Sequence, residues 1–166
     1  MRDLLAISVI LLAVVIQSSI VSRIPLLSGT ADLPLVMLAA WALQDGVDTM
    51  WHWAIAVGLV VGFVSGIPFF VPLLAYLFVV LLARLLQRRV WQTPLLAMFV
   101  VCFIGTIFMH VLSLGALRLF GVPLPIGDTL GLLTLPSILL NLLLAVPVYA
   151  IMRDLARWMY PAPEFE

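Results

Sequence analysis

Pro94–Leu117 reads PLLAMFVVCFIGTIFMHVLSLGAL, an apolar run interrupted by no carboxylate and no arginine. About 20 such residues carry a helix across a ~30 Å hydrocarbon core, so this stretch is long enough to span a bilayer. The pattern repeats on both sides of it. Residues 4–21, 33–43, 51–66, 70–86 and 132–152 are further apolar runs, separated by short segments rich in Pro and Gly. The expected fold is a single all-α integral membrane domain over residues 1–166, with six transmembrane helices. The second run is the shortest, reaching only ~16 Å at 1.5 Å per residue. Asp32 is placed to cap it, with Pro34 in its first turn.

Composition agrees with that reading. Hydrophobic residues make up 65% of the 166-residue chain and charged residues 10%, against ~45–50% and ~25% in soluble domains. A soluble enzyme, an exposed nucleic-acid-binding module and a disordered tail are excluded. The first run has no small-residue cleavage site and is read as a retained helix. Cys102 is the only cysteine, which removes an internal disulfide and any multi-cysteine metal site.

Net charge is zero, and every basic residue is an arginine. Cytoplasmic loops carry the excess of positive charge. With six spans and the N-terminus inside, Arg2, Arg84, Arg88, Arg89, Arg153 and Arg157 are cytoplasmic, and Arg23 and Arg118 are outside. A five-span arrangement, with the second segment lying in the interface, gives the same balance. Charge therefore sets the C-terminus inside and leaves the N-terminus open. The six-span arrangement is preferred, because Asp32–Leu43 has no polar stripe to lie flat with. It also brings all five tryptophans and Tyr160 near the cytoplasmic interface, where amphipathic rings are enriched.

Two groups of residues stand out as candidate sites. Ala54, Gly58, Gly62 and Gly66 recur every four residues, a small-residue face that lets a second helix backbone approach closely. The second helix belongs either to this chain or to a partner. Gln17, His110, Ser137 and Asn141 are polar groups inside predicted spans. Such groups face the protein interior, so these four are expected to form a bonded network or to line a pocket. Thr106, His110 and Ser113 share one face of the fifth run by helical spacing.

Catalytic chemistry finds little to work with. No phosphate-binding loop and no Ser/His/Asp arrangement is visible. Metal-dependent hydrolysis needs several ligands, and His110 stands alone at depth. An aspartyl pair would require Asp32 and Asp128, both assigned to the outer side. The chain is therefore expected to be non-enzymatic, with no cofactor and no metal.

The order of these features resembles the bacterial rod shape-determining MreD family over nearly the whole length. The resemblance lies in the first span ending Gln17-Ser18-Ser19, the loop with Arg23 and Pro25, and Asp32-Leu33 opening the second span. It continues through GLVVGFVSGIPFFVPLLAY at Gly58–Tyr76, the arginines 84, 88 and 89, and LPSILLNLLLAVPVY at Leu135–Tyr149. Relatives often carry an acidic residue before the Ser-Gly turn. Here that stretch is Gly62-Phe63-Val64, and no role of that acid transfers. The resemblance implies a fold similar to the substrate-binding subunits of energy-coupling-factor transporters. It also implies a scaffold subunit of the cell-elongation machinery in the bacterial plasma membrane. Its implied partners are a single-span MreC-like protein and, through it, RodA, a penicillin-binding transpeptidase and MreB. The alternative function is that of a substrate-binding subunit of a vitamin transporter of the energy-coupling-factor type.

Overall fold

The computed structural model describes residues 9, 12, 14–17, 19, 26–45, 47, 49–88, 93–122, 125, 127 and 129–160. Most of the predicted first span lies outside them, as do Arg2, Ser18, Arg23, Pro25, Asp48, Arg89, Trp91 and Asp128.

Among the described residues the secondary structure is all-helical, with no strand. Its helices are α1 (Leu33–Ala42), α2 (Met50–Val64), α3 (Phe70–Gln87), α4 (Pro94–Leu119) and α5 (Leu135–Met159), the last preceded by a π-helical turn over Thr129–Thr134. Residues 14–17 are also helical. Among the described residues, three elements are long and apolar enough to cross a membrane: α3, α4 and the continuous run Thr129–Met159. The second and third predicted spans are apolar helices of 10 and 15 residues.

Local chemistry explains the helix limits. The Asp32 carboxylate caps α1 by accepting the Leu35 N–H at 3.0 Å, which satisfies one of the orphan donors of a helix start. At the end of α2, Ser65 turns to extended backbone, and Pro68 disfavours helix at Ile67 before it. The Schellman motif at the end of α4 uses Gly121 at φ +83°. The Gly121 N–H donates to the Arg118 carbonyl and the Val122 N–H to the Leu117 carbonyl, both at 3.0 Å. α5 runs past the expected end at residue 152. Met152, Ala156 and Met159 are buried, so the inward face continues at helical spacing while Arg153 and Arg157 stay exposed.

The short helix α1 sits in the centre of the bundle. It packs on α5, α3, α4 and α2, and all its residues except Leu33 and Met37 are buried. It is a core element of the bundle. The chain reaches it through a tight turn in which Leu26 and Gly29 exchange two backbone hydrogen bonds of 2.9 Å. The turn is pressed onto the start of α5. A Cβ on Gly29 would lie 2.6 Å from the Leu133 carbonyl oxygen and 2.7 Å from the Ser137 nitrogen. At the opposite end of the bundle, Arg84 on α3 donates to the Val47 carbonyl at 2.6 Å and to the Gln87 side chain at 2.7 Å. Gln87 in turn donates to Asp45 at 2.9 Å. The loop between α1 and α2 is thus fastened to the last turn of α3.

Candidate functional site

The small-residue face of α2 meets α3 of the same chain. A Cβ on Gly58 would stand 2.7 Å from the Leu73 Cα, and one on Gly62 would stand 2.9 Å from the Phe69 Cα. Ala54 is fully buried. The surface that the spacing offered to a partner's helix is filled at Gly58 and Gly62 by this intramolecular neighbour. Gly66 is a correction to the proposed face. It lies beyond the end of α2, and a Cβ there would meet nothing within 4 Å. The helix ends at Val64 because Ser65 is extended, so the four-residue spacing no longer describes a helical surface.

The polar residues of the interior converge on the extended segment that enters α1. Gln17 donates its Nε2 to the Ala31 carbonyl at 2.7 Å and accepts the Leu33 N–H on Oε1 at 2.8 Å. Its primary amide thereby supplies the donor and acceptor that a neighbouring strand would supply. Ser137 Oγ accepts the Thr30 N–H at 3.1 Å. Asn141 Oδ1 accepts the Asp32 N–H at 2.7 Å, and its Nδ2 donates to Thr106 Oγ1 at 2.8 Å. The Thr106 hydroxyl in turn donates to the Cys102 carbonyl at 2.7 Å. Non-helical backbone away from water must find such partners, because each unsatisfied group costs several kcal/mol in an apolar surround, on the order of 2–7.

His110 stands apart from this joint. Its Nδ1 lies 2.9 Å from Thr134 Oγ1, and the Thr134 hydroxyl donates to the Thr129 carbonyl at 3.2 Å. The sequence offered Gln17, His110, Ser137 and Asn141 as one group. The structure brings Gln17, Ser137 and Asn141 to the segment before α1 and ties His110 to the π-helical turn.

Two features escaped the sequence reading. Tyr76, buried on α3, donates its hydroxyl to Asp32, at 3.1 Å from Oδ1 and 3.3 Å from Oδ2. A lone hydroxyl in an apolar helix was the available signal. The second is the π-helical turn over Thr129–Thr134, which carries the helix back beyond the expected start of the sixth span at residue 132. Asp32 is thus more than a helix cap. It precedes the first residue of α1, and desolvation raises its carboxyl from the ordinary value to about 6, against the opposing pull of the Leu35 and Tyr76 hydrogen bonds.

Beside this joint lies a cavity of about 410 Å³. Gln17, Asp32, Ser65, Tyr76, His110 and Ser113 are among its polar groups, set in an otherwise mainly apolar wall. All of it lies at one end of the bundle, where α1 begins, α2 ends and α3 begins. Ser65 Oγ is shielded from solvent and has no hydrogen-bond partner. Among the described residues, no three His, Cys, Asp or Glu side chains are grouped to hold a metal ion. Comparison with protein-family models, with curated proteins and with solved structures finds no match for the chain.

Proposed function

We propose that the chain is a non-enzymatic scaffold subunit of a bacterial cell-elongation complex, similar to MreD. In this reading it crosses the plasma membrane six times with both termini cytoplasmic. It associates with a single-span MreC-like protein, and through that protein with RodA, a penicillin-binding transpeptidase and MreB. One observation carries the proposal. Gln17, Asp32, Ser137 and Asn141, all within the motifs on which the resemblance rests, belong to a single hydrogen-bonded joint at the entry to the central helix. A family pattern scattered along the chain is then accounted for by one structural requirement, that of satisfying irregular backbone inside an apolar bundle.

The test is gentle detergent extraction of the tagged protein from its native membrane, followed by mass spectrometry of the co-purifying proteins. Recovery of a single-span MreC-like protein with wall-synthesis enzymes is the expected result. Recovery of paired ATPases with a coupling membrane subunit overturns it. That second outcome corresponds to the transporter reading, which the cavity of about 410 Å³ beside the joint favours. Small-molecule sites are concave, mostly apolar and furnished with a few polar groups.

A further inference from the structure

Among the described residues, the cavity wall contains one carboxylate, Asp32, and no arginine. Among the described residues, the donors that reach this carboxylate are neutral: the Leu35 N–H and the Tyr76 hydroxyl. They stabilise a negative charge without cancelling it. The hydroxyl has a single proton and lies nearer Oδ1 than Oδ2, at 3.1 against 3.3 Å. Oδ1 also receives the backbone N–H, so Oδ2 keeps most of its acceptor capacity. Asp32 retains some exposure and borders the cavity.

A carboxylate whose described partners are all neutral, set in a largely apolar wall, favours a ligand that brings positive charge. The rest of the wall decides what kind of cation that is. Val14, Val61, Met109, Leu114 and Leu133 offer apolar surface, and among the described residues no group of three His, Cys, Asp or Glu side chains surrounds Asp32. A bare metal ion would be poorly coordinated there, whereas an ammonium on an apolar body would match both parts. The volume of about 410 Å³ falls in the lower part of the small-molecule range, roughly 300–1,000 Å³.

We propose that this cavity binds a small organic cation, with Asp32 as its counter-ion and Tyr76 holding the carboxylate in place. The inference goes beyond the scaffold reading and gives the transporter reading a substrate charge. It concerns the isolated chain, so its failure is distinct from a failure to recover either set of partners.

The purified full chain in detergent is titrated with benzylamine, 2-phenylethylamine and benzyltrimethylammonium. Benzyl alcohol and benzoate serve as neutral and anionic probes of similar shape. Binding is read by calorimetry and by the shift in thermal unfolding followed through tryptophan fluorescence. Saturable binding of at least one amine is expected, with benzyl alcohol and benzoate silent. Asp32→Asn is expected to weaken amine binding about tenfold or more while keeping a side chain that can cap α1. Ser113→Leu places a larger apolar side chain in the cavity wall without touching the bonds of Asp32, and is expected to weaken amine binding in a folded protein. No saturable binding of any of the three amines overturns the assignment. So does equal binding of benzyl alcohol or benzoate, and so does unchanged amine affinity in Asp32→Asn.

Discussion

Asn141 Oδ1 accepts the backbone N–H of Asp32 at 2.7 Å, joining positions 109 residues apart in the chain. The same amide reaches Thr106 on α4 at 2.8 Å. One side chain on α5 therefore positions the start of the central helix and ties it to a third element. Gln17 and Ser137 serve the residues on either side of Asp32. The short helix is held at its entry by side chains because that stretch of backbone has no helical partners of its own.

Removing these side chains orphans buried groups. Asn141→Leu strands the Asp32 N–H, and Gln17→Leu strands the Ala31 carbonyl and the Leu33 N–H. Each variant is expected to lose about 1–3 kcal/mol per stranded group. Ser113→Ala removes only a bond to the Met109 carbonyl within α4 and is expected to stay within about 0.5 kcal/mol of the parent. Chemical or thermal unfolding in detergent ranks the three. Asn141→Leu matching Ser113→Ala would contradict the role given to the joint.

The glycines of α2 are expected to divide into two classes. Gly58→Ala and Gly62→Ala press a methyl against the α3 backbone at 2.7 and 2.9 Å, which pushes the two helices apart at a cost of about 1–3 kcal/mol. Gly66→Ala meets open space and is expected to be neutral within about 0.5 kcal/mol. Unfolding midpoints of the three variants separate these outcomes. A loss at Gly66 equal to that at Gly62 would point to an intermolecular contact there.

Gly29→Ala is expected to lift the turn at residues 26–29 off the start of α5, because the new methyl would fall on the Leu133 carbonyl and the Ser137 nitrogen. The Thr30 N–H bond to Ser137 should weaken first. Hydrogen exchange at the amides of Thr30 and Asp32 should accelerate while exchange in α4 stays unchanged. Unaltered exchange at those two amides would show that the turn is not fastened through Gly29.

Asp32 gives the stability a sign with pH. Its carboxyl is raised from 3.8 to about 6, so the folded protein holds that proton more tightly than the unfolded chain. The associated stability is fully present below about pH 4 and is lost as pH rises through about 6. Tyr76 and His110 are the titratable groups beside it in the cavity, and they remain in the Asp32→Asn variant. The difference in unfolding midpoint between parent and variant is expected to shift across pH 4–6, with the parent losing ground as pH rises. A difference independent of pH over that window would remove Asp32 as its cause.

Much of the architecture could be read along the chain, because it depends on local properties. Apolar length marked the runs that became α3, α4 and α5, and Asp32, Pro34 and Pro94 marked helix starts. Arg84 was visible only as a positive charge at a helix end, and its bond to the Val47 carbonyl was not. The interior polar residues were visible one by one as groups too costly to leave in an apolar surround.

Their partners were decided by tertiary structure. Exposed Leu139, Leu143 and Ile151 on α5 are as apolar as buried Val148 and Met152, so periodicity could not separate the face turned to lipid from the face turned inward. Without that distinction, the sequence could not say that the Gly58 and Gly62 face meets α3, or that Tyr76 turns toward Asp32. The π-helical turn at Thr129–Thr134 was hidden for a related reason, since no residue type in it announces a helical turn that begins before residue 132. The sequence determines that the chain is a bundle of apolar helices with a few polar groups that must be satisfied. Packing decides which groups satisfy them, because hydrogen bonds form between atoms brought within about 3 Å of one another, and only the fold brings residues 32 and 141 that close.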